Sequence, residues 1–216
     1  MKKVLGVIIK KIYKFLMIII YRPKIIGKGN IPKDTAAIIC PNHVHALDST
    51  LIISMNKRHI KTLAKEELFK NRFFKFLANI YGIYPVKANN KSMESIKISL
   101  KILKNNELLM IFPEGTRNGM EKGVKPKDGA IKLAIKSNTP IVPVGVQGNF
   151  KPFKKIKVNI GKPIYYSKYK DEVNNKDVMD KLTEELMKTI VKLRDERIER
   201  CWQTPNNRGI INCWRI

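Results

Sequence analysis

The segment Asn42–Asp48, with sequence NHVHALD, holds the residues whose types and spacing best suit acid–base chemistry. Four residues separate His43 from Asp48, so a loop or first helical turn can bring the carboxylate onto one imidazole nitrogen. The other ring nitrogen is then free to act as a general base. Neither of the other two histidines has a carboxylate at this spacing. A surface ion pair has the same pattern, so the assignment needs support from other segments.

A second polar segment, Phe112–Arg117 with sequence FPEGTR, suits an anionic ligand. A glycine lets backbone N–H groups approach an anion, and the Arg117 guanidinium can clamp a phosphate with two hydrogen bonds. Lys87 ends the segment GIYPVK (82–87) and could add point-charge attraction to a phosphate. The alternatives are an ordinary turn with an exposed ion pair and a solvated lysine.

Both polar segments follow short apolar runs that are typical of buried parallel strands. Strands are predicted at Ala36–Cys40, Leu108–Phe112, Ile141–Val146 and Lys157–Ile160, with another inside GIYPVK. Helices are predicted over Glu66–Ile80, Ser92–Lys104 (capped by Asn90 or Ser92), Gly129–Ser137 and residues 171–200. This alternation predicts a single α/β domain over residues 23–200, a mainly parallel sheet flanked by helices. Open sheets of this kind place their sites in loops at the carboxyl ends of strands.

Residues 1–22 are predicted to form an amphipathic helix. Leu5, Ile8, Ile12, Leu16 and Ile19 fall on one side of a helical wheel, and Lys3, Lys10 and Lys14 fall opposite. The longest apolar run is far shorter than the ~18 residues of a simple membrane span. We therefore predict a helix that lies in a membrane interface. Packing on the protein's own core is one alternative, and a spanning helix in a bundle is another.

The net charge is +25, from 43 Lys and Arg against 18 Asp and Glu, in a chain of 216 residues. Such a field attracts nucleic acid, anionic lipid, phosphorylated metabolites or an acidic protein. Because 34 of the basic residues are Lys, much of the charge is also consistent with a solvated surface. A non-enzymatic nucleic-acid-binding protein is a rival hypothesis. It would require aromatic residues interleaved with the basic ones or a recognisable module, and neither is found.

Three cysteines, Cys40, Cys201 and Cys213, form no CxxC pair. The odd number argues against a disulfide framework or a zinc site and fits a reducing compartment. Cys40 with His43 would be a rival, covalent arrangement, but a cysteine at the end of an apolar strand is more often buried and inert. No small-residue cleavage site follows the N-terminal apolar stretch, so we expect it to be retained. Residues 201–216 are left as an unassigned tail.

Four segments in order, NHVHALD, GIYPVK, FPEGTR and IVPVG (Ile141–Gly145), resemble the four consecutive blocks of the phospholipid/glycerol acyltransferase family. LAKEELFKN (63–71) and KPKDGAIKLA (125–134) are also similar to family sequence. The resemblance covers about residues 24–165. The best-known members of the family are the bacterial and other 1-acylglycerol-3-phosphate acyltransferases of phosphatidic acid synthesis.

The resemblance implies a role for each matching residue. His43 and Asp48 would form the catalytic dyad of the family. The residues that would bind the acceptor's phosphate and glycerol are Lys87, Glu114, Gly115, Thr116 and Arg117. Lys87 stands where the family commonly has Arg, which keeps the charge but loses the planar fork, and His45 stands where Ser is frequent. Both departures bear on acceptor specificity.

The expected reaction is direct transfer of an acyl group from a thioester to an acceptor hydroxyl, with His43 as the base. It needs no cofactor, metal or covalent enzyme intermediate, because a thiolate is a competent leaving group. The donor would be acyl-coenzyme A or acyl-acyl carrier protein, and the other partner would be membrane lipid at the cytoplasmic face of the cell membrane. Glycerol-3-phosphate or another lysophospholipid remains an alternative acceptor. No nucleic-acid partner is expected.

Overall fold

The structure is a computed structural model that describes residues 2–87 and 93–196. Its strands are β1 (Lys24–Ile26), β2 (Ala37–Pro41), β3 (Ile60–Lys65), β4 (Ile83–Val86), β5 (Leu108–Met110), β6 (Ile141–Gln147) and β7 (Lys157–Ile160). Its α-helices are α1 (Lys2–Tyr21), α2 (Asp48–Met55), α3 (Arg72–Tyr81), α4 (Met93–Lys104), α5 (Gly129–Ser137) and α6 (Lys176–Asp195). Strands and helices alternate along the chain, as the sequence predicts for an α/β domain.

All of these strands join one sheet in the order β1-β7-β6-β2-β5-β3-β4. Five neighbouring strands, from β6 to β4, are parallel. β7 pairs antiparallel with β6, and β1 pairs parallel with β7. The sheet is therefore mixed and mostly parallel, with β2 near its middle. We call the side where the five parallel strands end the carboxyl edge, and the opposite side the amino edge.

Helices cover both faces of the sheet, and β2 shows how its residues divide between them. Ala37 and Ile39 pack with residues of α1, α2 and α3. Ile38 and Cys40 pack with residues of α4, α5 and α6. All four side chains are fully buried. A strand covered on both faces needs apolar residues at every position, which is why β2 appears in the sequence as an unbroken apolar run.

The helix predicted over Glu66–Ile80 is wrong as a continuous element. The chain instead forms a short 3-10 helix at Glu66–Lys70, turns extended at Asn71, and then begins α3. The side-chain oxygen of Asn71 accepts a hydrogen bond of 3.0 Å from the backbone N–H of Phe74. That bond satisfies one of the unpaired amides at a helix N-terminus, so Asn71 caps a new helix rather than continuing the old one.

The final helix begins later than the predicted residue 171. Its first residue follows Asn175, whose side chain accepts hydrogen bonds from the backbone of Asp177 and Val178. A separate 3-10 helix, Ser167–Glu172, precedes it. The proposed caps at positions 90 and 92 and the tail 201–216 lie outside the described residues.

The end of α6 packs directly on β6 at Gly145. A Cβ there would overlap the backbone of Leu193 and Arg194, so only glycine permits this close approach. This contact explains the glycine of the IVPVG segment structurally.

Three further elements, β1, α2 and β3, were not predicted as such, and β1 is only three residues long. α2 has three consecutive buried residues, Leu51, Ile52 and Ile53, and so lacks the periodicity of an amphipathic helix. β3 carries lysines at two of its six positions. No helix within residues 2–87 and 93–196 combines the length and apolar character that crossing a membrane requires.

Candidate active site

The His43–Asp48 pair forms in the turn between β2 and α2. Asp48 is the first residue of α2 and is fully buried. Its Oδ2 accepts three hydrogen bonds, from His43 Nδ1 at 3.1 Å and from the backbone N–H groups of Val44 at 2.7 Å and His45 at 2.8 Å. Because Nδ1 faces a carboxylate oxygen, it carries the ring proton, and Nε2 presents its lone pair. The imidazole is therefore oriented as a general base.

The segment after β5 holds the main chain of His43 from both sides. Glu114 Oε1 accepts the backbone N–H of His43 at 2.7 Å. The backbone N–H of Asn118 donates to the carbonyl of His43 at 2.6 Å. The imidazole ring also stacks on Phe112, with ring centroids 4.1 Å apart. The FPEGTR segment therefore supports His43 directly, a contact that the sequence did not predict.

Glu114 is placed differently from the other residues of its segment. Its side chain is only 2% exposed, and its second oxygen, Oε2, accepts the backbone N–H of Met120 at 3.0 Å. Both carboxylate oxygens are thus hydrogen-bonded to main chain. Gly115, Thr116 and Arg117 are exposed instead, at the surface beside His43. The structure brings these four residues to the carboxyl edge in two groups, one buried under the dyad and one open to a ligand.

Asn42 is a supporting residue that the sequence analysis did not single out. It is buried, its Nδ2 donates to the carbonyl of Val146 at 2.9 Å, and its Oδ1 accepts the N–H of Val146 at 2.6 Å. The amide side chain thus extends the pairing of β2 with β6 by one position. A polar residue placed immediately after a fully apolar strand is the signal that could have identified it.

The predicted cations do not lie at equal distances from the dyad. Arg117 is in the loop after β5, the strand next to β2. Lys87 is exposed at the end of β4, three strand positions from β2, which corresponds to about 14 Å at the usual strand spacing. Neither residue forms an ion pair with a described residue. Both side chains are long and free to approach an anion at the carboxyl edge.

Lys127 is a cation that sequence reasoning missed. Gly115 has a φ of +66°, and a Cβ at that position would lie 2.8 Å from Cε of Lys127. The backbone N–H of Lys127 also donates to the carbonyl of Pro113 at 2.8 Å. The lysine side chain therefore covers the glycine of FPEGTR. The glycine is needed both for its left-handed backbone and for this contact.

Cys40 does not lie in a setting that favours a nucleophile. The side chain is fully buried in the layer of α4, α5 and α6. Burial raises the pKa of the Cys40 thiol well above its usual range, because an apolar environment disfavours the thiolate. Nucleophilic attack requires the thiolate, so this environment argues against the covalent rival.

His45 faces away from the Asp48 carboxylate. Its ring is exposed and stacks on Phe150 with centroids 4.7 Å apart, and its Nδ1 accepts the backbone N–H of Leu47 at 3.2 Å. The residue shares the turn with His43 but not the hydrogen bond that orients a base. It offers a matched histidine for comparison.

One open cavity, of about 470 Å³, lies beside α3 and the 3-10 helix at Glu66–Lys70. Its lining residues are Glu67, Leu68, Asn71, Phe74 and Leu77. None of the predicted site residues lines it. Within the described residues, no three His, Cys, Asp or Glu side chains form a group that could hold a metal ion.

The order of strands, the His–Asp turn after β2 and the supporting loop after β5 are an arrangement that suits an acyltransferase. The sequence model of the family described as Acyltransferase matches residues 22–147. This chain belongs to the acyltransferase family and is an O-acyltransferase.

Several individual proteins of this family are similar to this chain. A 1-acyl-sn-glycerol-3-phosphate acyltransferase of Bacillus subtilis is 33% identical over 180 residues, which cover 80% of this chain and 88% of that one. A protein of the same name from Borreliella burgdorferi is 33% identical over 144 residues, 64% of this chain and 57% of its own length. The crystal structure of the 1-acyl-sn-glycerophosphate (LPA) acyltransferase PlsC from Thermotoga maritima is similar with a TM-score of 0.60 and 25% identity. That match covers 86% of this chain and 81% of the other.

Proposed function

We propose that this protein acylates the free hydroxyl of 1-acylglycerol-3-phosphate and so produces phosphatidic acid for phospholipid synthesis. The observation that carries the proposal is the His43 imidazole, held by Asp48 through Nδ1 at 3.1 Å with Nε2 left to take a proton. The relatives named as 1-acyl-sn-glycerol-3-phosphate acyltransferases supply the substrate class.

In the proposed step, Nε2 of His43 removes the proton of the acceptor hydroxyl as its oxygen attacks the thioester carbonyl carbon. The new C–O bond forms, the C–S bond breaks, and the proton passes from the imidazolium to the departing thiolate. Asp48 stabilises the imidazolium while it exists. Acyl-coenzyme A and acyl-acyl carrier protein are both proposed donors, because either supplies the thioester.

The exposed cations of the carboxyl edge are proposed to hold the acceptor phosphate. Arg117, in the loop that supports His43, is the nearer of the two predicted side chains, and Lys87 reaches in from β4. Gly115 and Thr116 precede Arg117 in the same loop and are also exposed. Glu114 is proposed to act through the main chain of His43, since both of its oxygens already accept amides. Fixing the phosphate brings the hydroxyl to His43 in a reactive geometry.

We further propose that α1 rests in the interface of the cell membrane, on its cytoplasmic face. Met17 and Tyr21 on its inner side are buried in the core. Its outer side exposes seven apolar residues, Val7, Ile8, Ile12, Phe15, Leu16, Ile18 and Ile19. Lys11 and Lys14 are also exposed and suit anionic headgroups. A lipid acceptor would then be drawn from the same surface on which the enzyme rests.

The test uses purified full-length protein in anionic-lipid micelles with palmitoyl-coenzyme A and lysophosphatidic acid. We expect phosphatidic acid from the wild type and from His45→Ala, which keeps the His43–Asp48 pair, and none from His43→Ala. Product from His43→Ala would contradict the choice of base. If wild type used only glycerol-3-phosphate or another lysophospholipid, the acceptor would be wrong. If it made no product with either donor class, the proposed function would fail.

A further inference from the structure

The connection between β6 and β7 carries an exposed aromatic residue within a basic segment. We call residues 149–155, with sequence NFKPFKK, the Phe153 loop. Every residue from 151 to 155 is exposed, and the Phe153 side chain is 72% exposed. Exposing an aromatic ring to water is unfavourable, and exposed apolar side chains bordered by polar ones can mark a binding surface.

The main chain fastens the Phe153 loop to the end of α1. The backbone N–H of Phe153 donates to the carbonyl of Ile20 at 2.7 Å, and that of Ile156 donates to Tyr21 at 3.1 Å. Phe153 itself has a φ of +63°, a left-handed conformation that is rare for a bulky residue. The ring is therefore presented outward by a backbone that the helix end holds in place.

The loop lies at the carboxyl edge, beside the turn that holds His43 and Asp48. We call that turn, residues 42–48, the catalytic turn. β6 runs parallel to β2, so the chain leaves it at the edge where His43 follows β2. Phe150 at the start of the loop stacks on His45 and meets the ring of Tyr21 edge-on, with centroids 5.4 Å apart. One aromatic residue thus contacts both the catalytic turn and α1.

The charges around Phe153 favour an anionic partner. Lys151, Lys154 and Lys155 are exposed, and none forms an ion pair with a described residue. The last turn of α1, to which the loop is bonded, exposes Ile18 and Ile19. An apolar surface bordered by unpaired lysines matches the boundary between acyl chains and anionic headgroups.

We propose that the Phe153 loop is a second membrane-binding element, with Phe153 inserted in the interface of an anionic bilayer and the three lysines on its headgroups. Together with α1 it turns the carboxyl edge, and hence His43, toward the lipid surface. The inference deepens the proposed function and rests on its membrane acceptor. A lipid surface is favoured over an acidic protein because the Phe153 backbone is bonded to the last turn of α1, which exposes the apolar side chains of Ile18 and Ile19.

The first test is sedimentation of the full chain with phosphatidylglycerol and with phosphatidylcholine vesicles. We expect Phe153→Ser to bind phosphatidylglycerol vesicles about tenfold more weakly. Replacing the three lysines by Gln should weaken that binding about a hundredfold, from roughly fivefold per lysine, and leave phosphatidylcholine binding nearly unchanged. The control is Tyr165→Ser, because Tyr165 is 63% exposed but follows Ile164, which pairs with Ile141 at the amino edge. Binding by Phe153→Ser equal to that of the control would overturn the inference.

A depth measurement keeps the inference separate from activity. In Phe153→Trp, with Trp202 and Trp214 changed to Phe, brominated acyl chains should quench the introduced indole; Tyr165→Trp in the same background should not be quenched. An unquenched indole at position 153 would reject insertion. Normal vesicle binding by Phe153→Ser, with activity lost only for an acyl carrier protein donor, would assign the loop to protein docking instead. Absence of acyl transfer by the wild type would count against the proposed function and not against the loop.

Discussion

Two regions meet at the carboxyl edge of the sheet and are built in opposite ways. In the catalytic turn, the buried side chains of Asn42, Asp48 and Glu114 hydrogen-bond to main-chain groups around His43. In the proposed membrane-facing surface, made of α1 and the Phe153 loop, apolar and basic side chains are exposed. Leaving a buried polar group without a hydrogen bond costs free energy of folding. Exposed side chains are hydrated in both the folded and the unfolded state, so replacing them changes stability little. Substitutions of the buried polar residues of the first region should therefore change both folding and catalysis, and those in the second region should change mainly binding.

The largest contrast should lie within the dyad itself. Asp48→Ala removes the acceptor of two backbone amides as well as the partner of His43, so we expect a loss of about 3 kcal/mol in the free energy of unfolding. His43→Ala should leave that free energy nearly unchanged. Both should lower kcat by about a thousandfold or more. Urea unfolding beside the transfer assay measures the two effects, with the exposed Asp34→Ala as control. Equal stability of both dyad variants would contradict the description of the turn.

Glu114→Gln separates a positioning role from contact with substrate. The new amide nitrogen would face a backbone N–H of either His43 or Met120, so we expect His43 to shift and kcat to fall by about a hundredfold. The acceptor KM should change little. The matched control is Glu121→Gln, an exposed carboxylate nearby. A raised KM at normal kcat would show that Glu114 contacts the acceptor, as the family resemblance implies.

In the membrane-facing surface, Ile12→Glu should act in the reverse manner. The residue is exposed on α1, so the free energy of unfolding should hold while binding to anionic vesicles falls at least tenfold. Ile96→Glu is the control, because Ile96 is partly exposed on α4 at the other face of the sheet. Undiminished vesicle binding by Ile12→Glu would remove α1 from the membrane-facing surface.

Gly115→Ala tests the surface where the two regions would meet a lipid headgroup. The new Cβ would displace the Lys127 side chain, so we expect a severalfold rise in acceptor KM. Because the alanine would also have to adopt a left-handed backbone conformation, we expect the free energy of unfolding to fall by about 1 kcal/mol. Gly123→Ala isolates the backbone effect, since Gly123 has the same φ of +66° with open space around it. Identical kinetics for the two variants would exclude a part for the displaced lysine.

The smallest expected effect is a pH dependence of the free energy of unfolding, caused by His59 where α1 meets the sheet. Lys10 Nζ donates to His59 Nε2 at 2.7 Å. Partial burial, followed by the charges of Lys10 and Lys61, lowers the pKa of His59 below its ordinary value of 6.5. Below pH 6.5 the unfolded chain gains a proton that the folded state resists, so stability is full at neutral pH and declines on acidification. Screening keeps the loss under about 1 kcal/mol at this half-buried site.

Thermal unfolding from pH 8 to 5 measures this effect by comparing wild type with His59→Gln, two proteins that differ only at this residue. We expect a shallower decline in the variant. If stability fell more steeply on acidification in the variant than in the wild type, the pKa of His59 would be raised by folding and not lowered.

The sequence predicted the central strands and the contact between His43 and Asp48 well because their signals are local. Strands covered on both faces are continuous apolar runs, and β6 and β7 begin as predicted. His43 and Asp48 lie within one turn of chain, so their spacing alone allowed the contact. The helix over residues 66–80 failed for an equally local reason, since Asn71 was taken as an interior residue when it caps α3.

Only the tertiary structure could assign the supporting contacts. Glu114 is 71 residues from His43, and Asn42 is 104 residues from Val146, so no spacing in the chain records either bond. The same holds for Phe153, whose exposure depends on how the loop bonds to Ile20.

The sequence by itself thus determined the reaction class, the α/β architecture and the candidate residues for the chemistry, because each depends on residue type and short-range order. The folded sheet decided which carboxylate supports the main chain of His43 and which apolar residues remain on the surface. Parallel strands bring together loops that are far apart in the chain, and that meeting is a property of strand order rather than of any one segment.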